Sequence, residues 1–339
     1  MRTREIVCEY QPYIMQPPVK EDSLFKQACN NDGATVEKWK DDWLSNIEAN
    51  KKTFSSFADK SLGQLFGQFL HRPVICAGSG PSLKYNIDEL KDTKGIPVIS
   101  CLHNFHYFED NGVKVDYYVS LDAGPVTVEE VSEGGSKTEE EYWELTKDRT
   151  LIAFIGTHPD LLEKWQGEIY FYNAIIPDDD YREKQEAIEV FRTWVSNGGN
   201  VLGACFYIAK AIMGAGAIIF TGADFAFGYD RKFHSWNSKY DKKMGYCIPA
   251  TDVFGNKVAT WQSYANFKAW FDWVVVRVPG VYINATEGGT LGAYPEGNLI
   301  HVRQMDLSKV IEMYSMSENV KAQCIDPCLE TEEGRSILF

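Results

Sequence analysis

The chain has 339 residues and a formal net charge of −14, so it exceeds the common size of one domain and repels phosphate backbones, which argues against general nucleic-acid binding. Nine Trp, 18 Tyr and 19 Phe provide bulk for a large core with a smaller appendage and exclude a chain disordered throughout. No apolar run reaches the ~18 residues of a membrane span and the segment after Met1 is charged, so no membrane helix or signal peptide is expected and the expected compartment is the cytoplasm.

Residues 1–70 carry no strong strand pattern. The stretch 15–22 reads as a polar arm or linker, and from Thr35 onward Trp39, Trp43, Ile47 and Phe54 recur at helical spacing, which predicts a helical N-terminal appendage packed on the main domain. At Pro73 the texture changes. Short apolar runs at 74–77, 98–101, 117–121, 151–155, 169–172, 217–221 and 281–284 alternate with helical stretches such as 201–213 and 261–276. Strands that are apolar throughout, separated by helices, predict a mostly parallel sheet covered on both faces: a doubly wound, Rossmann-like α/β domain over 71–305. Two insertions interrupt it. Residues 127–147 read as an acidic loop running into a helix, and 229–255 as a lid-like loop with little periodicity. A helix after Ser308 and a polar tail complete the chain over 306–339.

The eight cysteines (Cys8, Cys29, Cys76, Cys101, Cys205, Cys247, Cys324 and Cys328) form no Cys-x-x-Cys pair, and three of them fall in apolar runs. Free thiols in a reducing compartment are expected, and Pro327 disfavours a shared helical turn for Cys324 and Cys328, so no metal site is expected there. In that compartment the sequon Asn284-Ala285-Thr286 is not a glycosylation acceptor. Arg231, Lys232, Lys239, Lys242 and Lys243 form a short basic cluster, suited to an anionic small molecule or to plain solvation.

Chemistry is expected at the carboxyl ends of the strands, where doubly wound proteins bind ligands. Gly78-Ser79-Gly80-Pro81-Ser82 lets backbone approach a phosphate, with N–H groups and two hydroxyls as donors, though it is neither a dinucleotide fingerprint nor a P-loop. Asn104 follows the second strand and suits a base or ribose. Asp122, ending the third strand, suits a ribose hydroxyl, a metal or a turn cap. Gly199 and Asn200 open a helix whose N-terminus suits an anion. Asp224 ends another strand ahead of a loop carrying His234, a base suited to a hydroxyl proton near neutral pH, and Tyr229, Tyr240 and Tyr246, donors for a departing phosphate. Asn284, Thr286 and Glu287 sit at the last strand end and suit sugar hydroxyls or a capped turn.

The order Gly78-Ser79-Gly80-Pro81-Ser82-Leu83, Val119-Ser120-Leu121-Asp122, Gly198-Gly199-Asn200-Val201, Gly222-Ala223-Asp224-Phe225 and Asn284-Ala285-Thr286-Glu287-Gly288-Gly289 resembles the Maf motility accessory factor superfamily over residues 38–292. That superfamily includes flagellin glycosyltransferases and archaeal 6-hydroxymethylpterin diphosphokinases. A more distant likeness is to bacterial sialyltransferases that use a CMP-sugar donor: their Gly-Asn-Gly-Pro-Ser-Leu turn is similar to Gly78 to Leu83 with Ser79 in place of Asn, and their Asn-Gln-Phe-Tyr-Phe-Glu-Asp segment to Asn104 to Asp110. Their Gly-x-Asp-Phe strand end matches Gly222 to Phe225. By that resemblance Ser79, Ser82 and Asn104 contact the cytidine nucleotide and His234 is the base.

The leading expectation is a glycosyltransferase moving a sugar, a nonulosonic acid, from a CMP-activated donor to a hydroxyl of a protein or glycan acceptor, with no cofactor or metal required. His234, Asp224 and Tyr229 are its expected catalytic residues. The alternative is a Mg-dependent diphosphokinase that uses ATP and a pterin-like alcohol, with Asp122 and Asp224 holding the cation. A non-catalytic nucleotide-binding module is the third reading.

Overall fold

The computed structural model describes residues 21–176, 178–236 and 245–315, with side chains from Thr35 onward. Its strands are β1 (Pro73–Ala77), β2 (Val98–Cys101), β3 (Tyr117–Ser120), β4 (Thr150–Phe154), β5 (Glu168–Ala174), β6 (Trp194–Val195), β7 (Ala217–Thr221), β8 (Ile248–Thr251), β9 (Lys257–Thr260), β10 (Val281–Asn284), β11 (Ala293–Tyr294), β12 (Gly297–Asn298) and β13 (Arg303–Gln304). Its α-helices are α1 (Glu21–Thr53), α2 (Leu83–Leu90), α3 (Phe105–Asn111), α4 (Val126–Glu129), α5 (Glu139–Leu145), α6 (Pro159–Lys164), α7 (Asp179–Ile188), α8 (Val201–Tyr207), α9 (Gln262–Arg277) and α10 (Leu307–Ser315).

Nine strands form one sheet in the order β13-β10-β7-β1-β2-β3-β4-β5-β6, and every pairing in it is parallel. The central strands are apolar on both faces because helices cover both: every residue of β1 and of β7 is buried. The doubly wound α/β fold is thus the observed one. From β1 the chain lays down β2 to β6 in one direction, then returns to place β7 against the other side of β1 and continues to β10 and β13. The winding therefore reverses between β1 and β7, which leaves a crevice beyond their carboxyl ends.

All seven apolar runs form strands of this sheet. The two-residue edge strands β6 and β13 escaped the sequence, being too short to show a period. Residues 229–255 differ from a periodicity-free loop: β8 lies inside them and pairs antiparallel with β9. Residues 127–147 hold α4 and α5, the latter opened by a capping box between Thr138 and Glu141. Residues 201–213 begin as α8 and end in a π-helical turn, Ile208–Ile212. The helix expected after Ser308 is α10, seated through Leu307, Val310, Ile311 and Tyr314.

Helix α1 packs along α9. It is also fastened to the carboxyl edge of the sheet by two amides. The Asn46 side chain donates to the carbonyls of Ala123 (3.0 Å) and Gly156 (3.1 Å), and that of Asn50 to Ile155 (2.9 Å) and Thr157 (2.8 Å). Cys76, Cys101 and Cys205 are buried free thiols. The sequon residues Asn284 and Thr286 are buried, which closes them to a glycan. The 15–20 arm, Lys239, Lys242, Lys243, Tyr240, Cys324 and Cys328 lie outside the described residues.

Candidate functional site

The turns that follow β1 and β7 lie back to back. The amide of Gly78 donates to the Thr221 carbonyl (2.9 Å) and that of Gly80 to the Gly222 carbonyl (2.9 Å). The approach is close enough to exclude side chains: a Cβ on Gly78 would stand 2.6 Å from the Gly222 oxygen, and one on Gly80 would stand 2.0 Å from Asp224 Oδ2. Gly222 has a left-handed φ of 59° and would bring its own Cβ within 2.4 Å of the Gly78 oxygen. These glycines thus serve the contact between two backbones. The expectation that their amides form a row of donors for phosphate is corrected, because both amides are already spent. The Ser82 amide is spent as well, on Asp224 Oδ2 (3.2 Å), and Pro81 has none. That leaves the Ser79 amide and hydroxyl as the turn's donors toward the crevice.

Asp224 clasps this turn. Its two carboxylate oxygens accept from the Ser82 amide and the Ser82 hydroxyl, and the side chain is buried. Burial pushes its pKa up to about 7 against the lowering effect of the Ser82 bonds. Asn104 plays a comparable part from beneath. It is fully buried and donates to the carbonyl of Gly78 (2.9 Å) and the hydroxyl of Ser100 (3.0 Å), so its amide braces the turn and does not line the crevice.

The insertion after β7 returns His234 to the same place. Its Nδ1 lies 2.9 Å from the Ser79 carbonyl oxygen, and Ser235 donates to the Gly80 carbonyl at 3.0 Å. A carbonyl only accepts, so Nδ1 carries the proton in this contact, and Nε2 is buried. The imidazole stacks on Trp236 at 4.8 Å with an interplanar angle of 4°, and meets the His103 ring edge to face at 4.5 Å.

Around these groups is a cleft of about 470 Å³, a size suited to a small ligand. It contains Gly78, Ser79, Gly80, Asp122, Gly199, Asn200, Asp224 and His234 among its walls. On one side stands an aromatic wall: Phe233 lies parallel to Tyr264 at 5.2 Å and tilted to Trp261 at 4.7 Å, with Tyr264 leading on to Phe267 at 5.6 Å. Asp122 is open to the cleft, yet protein surrounds it closely enough that desolvation raises its pKa. Burial and then the nearby Asp122 raise the phenol of Tyr264. Asn200 caps α8 by accepting from the Gly203 amide (2.9 Å), while Gly198 and Gly199 enter with φ of 56° and 79°.

The remaining expected residues lie elsewhere. The Tyr229 hydroxyl bonds Asp252 and accepts from Asn256 (2.8 Å) on the far side of the Pro81 turn, so this residue does not face the cleft; burial and then Asp252 raise its pKa to about 12. Tyr246 is 87% exposed. Asn284 donates to Gln304 (2.9 Å), the Thr286 hydroxyl accepts from the Ala223 amide (3.1 Å), and Glu287 accepts from Asn86 (2.9 Å) and the Leu307 amide (3.2 Å). These three buried side chains brace the fold behind the cleft. Conversely, sequence reading overlooked the aromatic wall. Trp261, which caps α9, and Tyr264 and Phe267 within it recur every third residue, a spacing that brings them to one side at the start of the helix. Among the described residues no three or more metal-ligating side chains cluster, and no helix is long and apolar enough to cross a membrane.

No curated protein matches the chain. A structural relative is the MAf glycosyltransferase from Magnetospirillum magneticum AMB-1, with 16% identity and a TM-score of 0.52 over 76% of this chain and 37% of that one. This likeness shows a shared fold, and the chain spans little more than a third of that protein's length. The model of the family described as 6-hydroxymethylpterin diphosphokinase MptE-like matches residues 42–230, more than half of the 339 residues and inclusive of both interlocked turns. The chain therefore belongs to the MptE-like family of 6-hydroxymethylpterin diphosphokinase relatives.

Proposed function

We propose that this protein is a group-transfer enzyme that moves a sugar, of the nonulosonic class, from a CMP-activated donor to a hydroxyl acceptor, with His234 as general base. The observation that carries this reading is His234 seated on the Ser79 carbonyl inside a cleft walled by aromatic rings. The wall of Phe233, Trp261 and Tyr264 suits a flat heterocycle, here the donor base. The Ser79 hydroxyl and amide and the Asn200 end of α8 suit its phosphate. In the transfer, the acceptor O–H gives its proton to the His234 imidazole, whose buried Nε2 has to be uncovered for the acceptor to reach it, and its oxygen bonds the anomeric carbon. The bond from that carbon to the phosphate oxygen breaks, and CMP leaves with the electron pair. Asp224, Ser82 and Asn104 are positioning residues that fix the turn holding Ser79.

Charge supports this donor over a triphosphate. Asp122 and Glu130 line the cleft, so a polyphosphate entering it meets carboxylates and needs divalent cations, whereas a CMP-sugar brings one phosphodiester. The second reading, diphosphate transfer from ATP to a pterin-like alcohol, is favoured by the family match and by the same carboxylates. Asp122 is the carboxylate that would be open to Mg²⁺, since both Asp224 oxygens are taken by Ser82, and the aromatic wall would take the pterin.

One experiment separates the two. Purified protein is offered CMP-sugars, and separately ATP with Mg²⁺, while nucleotide release and binding are followed. Release of CMP without added metal is expected. Firm ATP binding with neither binding nor turnover of any CMP-sugar removes the glycosyl-transfer reading.

A further inference from the structure

The cleft does not end at Asp122. Leu121, Asp122 and Gly199 are shared with a second pocket, about 80 Å³, that opens between α1 and the carboxyl ends of β3, β4 and β5. Trp39 and Trp43 of α1 form its outer wall, and Asn197 and Thr35 add polar groups. Trp43 is locked into the core by edge contacts with Phe154 (6.3 Å) and Tyr181 (5.6 Å). Trp39 is half-buried, lines the pocket and has the Lys38 ammonium over its ring at 4.6 Å. Further along α1, about two and three turns beyond Trp39, Asn46 and Asn50 bolt the helix to four strand-end carbonyls.

The lining has two kinds of chemistry side by side. An indole offers a flat apolar face, and Asp122 offers carboxylate oxygens that need donors once water leaves, because a buried unpaired carboxylate is costly. A purely apolar occupant answers only the first demand. A hydroxylated ring answers both, with C–H bonds against the indole and O–H groups toward Asp122. Position sets which ring this is. His234 lies at the tips of β1 and β2, and the pocket at those of β3 to β5, two to three strand spacings or ~10–14 Å away. That is farther than a single sugar ring reaches.

From this juxtaposition we infer that the pocket between Trp39 and Asp122 is an acceptor subsite that takes the sugar unit next to the reacting one, so the preferred acceptor is a glycan of at least two rings. The inference rests on the glycosyl-transfer reading above and deepens it by naming the acceptor class. Trp39 is here a specificity residue that touches substrate but no reacting atom.

The test compares wild type, Trp39→Ala and Trp39→Phe with a CMP-nonulosonate donor and with galactose, lactose, N-acetylglucosamine and chitobiose as acceptors. The expected result is a KM for the disaccharides raised about tenfold in Trp39→Ala, a loss of about 1.4 kcal/mol, and largely restored in Trp39→Phe. The monosaccharide KM and acceptor-free donor hydrolysis stay within about twofold. Equal losses with mono- and disaccharides mark a structural role and overturn the inference, as does a wild type that transfers to no saccharide while hydrolysing donor. If the wild type turns over no CMP-sugar, the glycosyl-transfer reading has failed, and saturation-transfer NMR with lactose and chitobiose decides the subsite by itself. Signal in the wild type that vanishes in Trp39→Ala supports it, and no wild-type signal with either disaccharide overturns it.

Discussion

The turns after β1 and β10 look alike in sequence, each a strand end followed by glycines and hydroxyls, yet they do opposite work. The tip of β1 borders the cleft and holds His234 against the Ser79 carbonyl. At the tip of β10 the chain turns back over its own strand. Asn284 reaches Gln304 on β13, and Glu287, at a left-handed φ of 57°, ties Asn86 of α2 to the start of α10. The difference lies in topology. Winding reverses between β1 and β7, which leaves their tips beside a crevice, whereas the chain after β10 runs on to β13 beside it and bonds back to Asn284 and to the start of α10. Polar residues at a strand end thus mark a site only where the fold leaves the end open.

The strongest way to break this contrast is at the imidazole. His234→Gln keeps a donor for the Ser79 carbonyl but removes the basic nitrogen. Turnover should fall by ~10²–10⁴ with nucleotide affinity nearly unchanged, as general-base loss predicts. Titration calorimetry beside single-turnover assays reads both quantities. Equal activity would dismiss His234 as the base and leave the β1 tip with no more chemistry than the β10 tip.

Next in size is the interlock itself. In Gly80→Ala the new methyl needs the space held by Asp224 Oδ2, 2.0 Å away, and by the Gly222 oxygen, 2.6 Å away. Chemical denaturation should show a loss of about 1–3 kcal/mol from overpacking, along with weaker nucleotide binding. Gly255→Ala, where the Cβ would meet nothing within 4 Å but φ is 80°, makes a control for strain without crowding. Unchanged binding in Gly80→Ala would separate the turn from the site.

A third effect is a slope against pH. Burial raises the Asp224 carboxyl to about 7 from an ordinary 3.8. The native state therefore holds a proton that the unfolded chain has already lost, and stability falls as pH rises through that interval. Asp224→Asn should remove this part of the slope between pH ~4 and ~7 in urea titrations. Identical slopes in the two proteins would mean that Asp224 stays ionised on its Ser82 bonds.

The sheet was legible because apolar strands of a buried parallel sheet stand out from helices, as in Val74-Ile75-Cys76-Ala77. So was the meeting of the Gly78 turn with His234, since both sit at strand ends of one α/β domain. What periodicity could not carry was direction. Asn104 and Glu287 read as ligands and Asp224 as a catalytic residue, but each is buried and bonded to backbone or to a neighbouring side chain, because a buried polar group must be paired. The aromatic wall was hidden for the reverse reason. Trp261, Tyr264 and Phe267 follow helical spacing, and only the path of α9 past the cleft separates them from core residues.

The smallest expected change sharpens the boundary of the site. Tyr229 stands in the same insertion as His234, five residues earlier, and a loop read from sequence gives the two equal claim to the chemistry. Its hydroxyl is instead held by Asp252 and Asn256 behind the Pro81 turn. The burial and hydrogen bonding that raise this phenol to about 12 keep it protonated at working pH, so it braces the β8–β9 hairpin without exchanging protons with substrate. Tyr229→Phe should leave kcat within about twofold and cost about 0.5–1.5 kcal/mol for the hydrogen bond removed, both measurable on one preparation. A fall in kcat approaching that of His234→Gln would place the reacting phosphate on the far side of Pro81 and move the active centre out of the large cleft.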